Sequence, residues 1–181
     1  MSEDLFILNV TIKDKPITID LNEVLCLDNF FEQGFTEAEM DLQIMKLGHT
    51  KMLLLLAWEE TKAWRRRLEN DIEEFKAEYA ERAEAYVLSR RKQQVEDKER
   101  TLSSVTVSRA DLEDAFLSGA LAPPDDDPDG NFDPTEYTMM REKLVKLLEK
   151  EGILQGSYDT VCSRSVELLS VAKRFFKGEP R

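Results

Sequence analysis

From Tyr137 to Phe175 the positions Tyr137, Met140, Leu144, Leu147, Glu151, Leu154, Tyr158, Val161, Ser165, Leu168, Ala172 and Phe175 follow one another in steps of three and four, and only Glu151 and Ser165 are polar. On an α-helix this spacing draws one continuous apolar stripe, roughly eleven turns long. A stripe of that length cannot face water, so it has to be covered by another helix. No other feature limits the fold as much. Gly152 and Gly156 each weaken the helix locally by about 1 kcal/mol relative to alanine, which admits a bend or break there.

A partner is present in the same chain. Thr36 and Glu39 have the spacing of a capping box, and no proline follows until well past Arg100. Sixty-odd residues of helix would measure roughly 95 Å. Its strongest seam is Leu68, Ile72, Phe75, Tyr79 and Tyr86, with Arg82 at the intervening core position. Backwards the spacing passes Trp58, Leu54, Leu47 and Ile44, interrupted by Arg65, Thr61 and Lys51. The two helices can close antiparallel across the 101–133 connection, or each can pair with a neighbouring subunit.

Ahead of them, "LFILNVTI" and "ITIDL" flank "KDKP". Phe6, Leu8, Val10 and Ile12 share one face at period two, continued by Ile17, Ile19 and Leu21, which predicts a β-hairpin. A lone hairpin is marginal in water and should pack on a helix or on another copy of itself. The segment from Asn22 to Phe35 suits a short helix closed by Gly34. Between the long helices, Ser108 with Asp111 caps a short helix that Gly119 closes, and Asp133-Pro134 opens the last one. The expected fold class is therefore mainly α: an N-terminal β-hairpin followed by a long antiparallel helical hairpin or coiled coil. Its parts are 1–35 (hairpin and short helix), 36–100 (long helix), 101–133 (short helix and acidic loop) and 134–181 (C-terminal helix), forming a single elongated domain.

The net charge of −12 is unevenly spread. Residues 101–136 carry nine acidic side chains against one basic, whereas 137–181 carry nine basic against six acidic. Such a total argues against general duplex binding, which needs a basic face to displace counterions. The two cysteines, Cys26 and Cys162, provide no disulfide framework and no C-x-x-C motif. The start, "MSEDLFILNV", has acids where a secretory leader has positive charge, and the longest apolar run, Met52 to Trp58, is too short for a bilayer. A cytoplasmic protein without membrane contact is expected.

The acidic loop "PPDDDPDGNFDPTEY" scans as an EF-hand-like loop over residues 125–136. Asp125, Asp127, Asp129, Asn131 through its carbonyl, Asp133 directly or through water, and Glu136 as a bidentate closer would offer calcium its hard oxygens, with Gly130 at the sharp turn. Pro123-Pro124 and Pro128 depart from that pattern, and no second copy accompanies it. The same letters read equally as a solvated acidic linker in which Asp133 caps the next helix and Glu136 completes its capping box. A calcium-dependent thermal shift that vanishes in Asp125→Ala separates the two.

A single histidine, His49, excludes multi-histidine metal sites, and the chain contains no Walker A or G-x-G-x-x-G loop. No reacting constellation can be named, so no enzymatic activity or resident cofactor is expected. Three clusters combine basic and aromatic or polar residues: Lys62, Arg65, Arg66 and Arg67 beside Trp58 and Trp64; Arg90, Arg91 and Lys92; and Lys173, Arg174 and Lys177 with Phe175 and Phe176. Together they suit single-stranded nucleic acid, where backbone charge and base stacking both contribute. Each also suits the mixed-charge outer face of a coiled coil.

The layout resembles phage recombination mediators of the UvsY type. The resemblance spans residues 41–178: a long helix entered through "LQIMKLGHTKMLLLLAWEE", a Thr/Ser break, a short helix and a final helix closing on "FFKG". It implies a helical homo-oligomer that binds single-stranded DNA and helps load a recombinase, in the host cytoplasm if phage-encoded. The N-terminal hairpin and the acidic loop depart from that layout. The alternative is a coiled-coil structural or assembly protein, a virion, scaffold or complex subunit that binds no nucleic acid.

Overall fold

The computed structural model describes residues 6–25, 34–96, 107–122, 132 and 134–176. In chain order the elements are β1 (Ile7–Ile12), β2 (Lys15–Asp20), α1 (Asn22–Leu25), α2 (Glu37–Glu78), α3 (Ala80–Glu96), α4 (Arg109–Ser118) and α5 (Thr135–Phe176). The chain is thus mainly helical, with an N-terminal antiparallel hairpin and two long helices that pack antiparallel. It divides into two compact units, one made of residues 1–64 and 147–181, the other of residues 65–146, and α2 and α5 each contribute to both.

In the first unit β1 and β2 pair with Val10 opposite Ile17 and Leu8 opposite Ile19. The turn is shorter than "KDKP" suggests: Lys13 and Asp14 alone make it, both at positive φ (50° and 61°), and Pro16 already lies in β2. Two left-handed residues match the twist of the flanking strands. Lys13 donates its backbone N–H to Glu60 on α2 at 3.0 Å, which ties the turn to the helix. Period-two alternation then delivers Val10, Ile12, Ile19 and Leu21 to one buried face, with Leu8 and Ile17 half-buried beside them, whereas Phe6, expected on the same face, is 45% exposed ahead of β1.

That face closes over the two long helices. Met40, Leu47, Leu54 and Ala57 of α2 and Leu154, Val161 and Leu168 of α5 share one core with the hairpin and with Val24 of α1. The antiparallel sense is fixed by aromatic contacts: Phe35, just before α2, lies 5.6 Å from Phe175 at the end of α5, and Trp58 lies 5.8 Å from Tyr158. The helical hairpin therefore closes within one chain. Arg164 adds a crosslink by donating to the carbonyl of Leu25, the last residue of α1, at 3.0 Å. Helix α2 begins with the predicted capping box, in which Thr36 and Glu39 exchange hydrogen bonds.

The second unit is built on aromatic residues. Ile72, Ala83, Val87, Ala115, Phe116 and Tyr137 are its buried core, with Phe75, Tyr79 and Phe132 packed against it. Helix α4 packs on α3, starts with the predicted Ser108–Asp111 capping box and stops at Gly119 in the left-handed conformation (φ 70°). Arg82 enters the apolar seam because it has a polar partner there: its Nε donates to the carbonyl of Ala122, while the Ala122 N–H donates to the carbonyl of Arg82 at 3.2 Å.

Three expectations are adjusted. The first long helix is interrupted at Tyr79, after which α3 resumes at once with Ala83 donating to the Tyr79 carbonyl. Gly152 and Gly156 do not break α5, which runs unbroken from Thr135 to Phe176. Phe175, placed in the seam by spacing, is 71% exposed on the last turn of the helix, with its ring packed edge-on against Phe35. Among the described residues no helix is long and apolar enough to cross a membrane.

Candidate interaction surfaces

The basic clusters are distributed along the helices. Lys62 sits on α2 with its amino group 3.6 Å from the centre of the Trp58 ring and ion-paired to Glu59 at 3.0 Å. Arg65 pairs with Glu69 one turn on, at 2.7 Å, while Arg66 and Arg67 are exposed. On α3, Arg90 and Lys92 are exposed and Arg91 pairs with Asp111 of α4. That ion pair holds part of the cluster against the protein itself.

Lys173 and Arg174 are exposed on the last turn of α5, and Lys177 lies outside the described residues. Within the first unit the contact of Phe35 with Phe175 puts this cluster at the start of α2, roughly 38 Å of helix from Lys62. Arg65–Arg67 and Arg90–Lys92, in the second unit, are separated by roughly 35 Å of helical path. Along the described helices the basic clusters of each unit are thus set well apart in the chain.

Of the six calcium candidates, Asp125, Asp127, Asp129, Asn131 and Asp133 lie outside the described residues. Glu136 is exposed in the first turn of α5, where a carboxylate is favourable to the helix dipole whether or not it binds anything. Near the start of that helix Thr138 N–H donates to the Pro134 carbonyl at 2.9 Å. Among the described residues no group of three His, Cys, Asp or Glu side chains is placed to hold a metal.

Two features carry no signal in any motif. One is a polar knot around Glu113 of α4. Lys76 of α2 reaches it at 2.8 Å, the Tyr137 hydroxyl donates to it at 2.5 Å, and Arg141 approaches to 3.3 Å. Partial burial pushes the Glu113 carboxyl upward, but the bonds from Lys76 and Tyr137 and the charges of Lys76 and Arg141 prevail and hold it below the usual carboxylate range. Burial, then the bond to Glu113 and its charge, push the Tyr137 hydroxyl well above an ordinary tyrosine. The knot fixes α2, α4 and α5 to one another within the second unit. A shallow groove of about 400 Å³ beside it is lined by Lys76, Arg109, Glu113 and Phe116 among others.

The other feature is apolar. Helix α2 buries the series Met40, Gln43, Leu47, Thr50, Leu54, Ala57 and Thr61, yet its opposite side is apolar too. Leu42, Met45, Met52, Leu55 and Leu56 are 55%, 71%, 51%, 38% and 42% exposed. On α5 of the same unit Leu148, Ile153, Val166 and Leu169 are also uncovered. An amphipathic surface helix carries polar residues there. No protein family, curated protein or solved structure matches the chain.

Proposed function

We propose that this protein is a non-enzymatic, self-associating helical protein that acts by assembling, as a structural or scaffold subunit of a complex. The observation that carries this reading is the apolar surface the first unit leaves uncovered after its own core is complete, Met45 and Met52 above all. Exposed patches of this kind mark protein–protein contacts. Ion pairs that hold Lys62, Arg65 and Arg91 against the chain's own carboxylates also favour protein contacts over a nucleic-acid groove. Native mass measured by sedimentation equilibrium tests it. A defined oligomer is expected, and a chain that stays monomeric throughout the micromolar range overturns the reading.

A second reading is the phage-type recombination mediator, a homo-oligomer that binds single-stranded DNA and a recombinase. It is favoured by exposed Lys173 and Arg174 beside exposed Phe175, a pairing of charge and stacking surface. Labelled single-stranded oligonucleotide separates the two. The mediator binds it with an affinity that falls steeply as salt rises. Absence of binding at low ionic strength leaves the assembly subunit alone.

A further inference from the structure

Resting on the self-association proposed above, we infer that the outer edge of β1 is a strand-pairing site whose occupant is β1 of a second copy, antiparallel about a twofold axis at Asn9. The two-residue turn makes Ile12 and Lys15 a hydrogen-bonded pair, so Val10 with Ile17 and Leu8 with Ile19 are bonded pairs as well. The Leu21 N–H, which donates to the Phe6 carbonyl at 2.8 Å, continues the series. The backbone groups of Ile7, Asn9 and Thr11 therefore point away from β2. All three residues are exposed, and among the described residues their backbone groups meet no partner on that side.

The two edges of the hairpin are not alike. On β2 the outward positions are Pro16, Thr18 and Asp20: Pro16 has no N–H to offer, and Asp20 is charged, its carboxylate accepting from the Asn22 N–H at 2.8 Å. Proline and charge are what guards an exposed edge against further strands. Strand β1, "ILNVTI", has neither, in a chain of net charge −12. Its row of alternating donors and acceptors fits only another extended backbone, which fixes the class of the occupant.

The register points to a second copy. The outward groups belong to odd positions, so another β1 pairs antiparallel only odd to odd, which keeps the apolar even positions of both strands on one face. The register centred on Asn9 engages the whole strand: Ile7 meets position 11 of the copy, Leu8 meets position 10 and Phe6 meets position 12. Phe6 is 45% exposed although period two puts it on the apolar face, and this pairing gives it an isoleucine as neighbour. Asn9 faces its own image. Its Oδ1 accepts from the Thr18 hydroxyl at 2.9 Å, which leaves the amide N–H groups to donate across the axis. No like charges are set opposite one another, and the edge fits its own image as a twofold contact requires.

The test uses the full chain and sedimentation equilibrium. Asn9→Lys and Asn9→Asp each set like charges across the axis, so the dissociation constant of either variant alone should rise about fivefold or more. An equimolar mixture of the two should recover association, because lysine then faces aspartate. Thr11→Pro removes an outward N–H while leaving the bonds to β2 in place, and should weaken association about tenfold or more. Circular dichroism should be unchanged in all three, since both side chains are exposed in the folded chain. A wild-type oligomer that all three variants leave intact overturns this edge while sparing self-association. Weakening in both Asn9 variants without recovery on mixing overturns the pairing of β1 with its own copy. A wild-type monomer overturns self-association as well, and leaves the edge to a strand of another protein.

Discussion

At the scale of single residues, the second unit depends on two positions that allow little substitution. Gly119 ends α4 at φ 70°, and a Cβ there would come within 3.0 Å of the Pro134 ring. Backbone strain and the close approach act together, so Gly119→Ala should cost about 1–2 kcal/mol or more, read as a lower urea midpoint. Glu113 is the other. Glu113→Gln keeps the size but leaves Lys76 and the Tyr137 hydroxyl without their ionised acceptor, a loss of about 1–3 kcal/mol at neutral pH. Because the folded carboxyl titrates below its unfolded value, its stabilisation is complete above the ordinary glutamate range and is lost as pH falls through the folded pKa. Tyr137 acts in the opposite direction. Its raised pKa gives stability that is complete below the ordinary tyrosine value and declines as pH rises beyond it. Thermal melts across pH should show the acid-side slope reduced in Glu113→Gln.

At the scale of elements, the helix starts follow local rules. Ser108 accepts from the Asp111 N–H at 3.2 Å while Asp111 accepts from the Ser108 N–H at 3.0 Å. The bonds from Ser108, joined by the Arg91 charge, hold the Asp111 carboxyl below its usual range. Ser108→Ala should lower stability by about 1 kcal/mol, again as a shift in urea midpoint, since it removes the hydroxyl that accepts from that N–H. Both capping boxes were legible in the sequence because each is complete within four residues. The α5 seam was legible because one stripe faces one partner. The α2 seam was legible only in part: spacing alone selects one stripe, whereas the hairpin shares the same core and Met40, Gln43, Thr50 and Ala57 are buried as well. The interruption at Tyr79 has no glycine or proline to announce it. The knot at Glu113 joins residues 76, 113, 137 and 141, and no local pattern connects positions so far apart.

At the scale of the whole molecule, the −12 charge and the uncharged outer face of α2 have different consequences. An apolar interface should be held as firmly at high salt as at low, whereas any nucleic-acid contact through Lys173 and Arg174 should weaken steeply. Native mass at two ionic strengths, with and without oligonucleotide, reads both effects in one series. Each unit also has its own optical reporter. Trp58 packs in the first unit with its indole nitrogen buried and without a hydrogen-bond partner, while Trp64 is already 51% exposed. Loss of the first unit should therefore appear as a red shift of tryptophan emission. The second unit, with its stacked Phe75 and Tyr137 rings 5.9 Å apart, should instead lose its near-ultraviolet dichroism. The unlabelled chain thus distinguishes the melting of its two halves by colour.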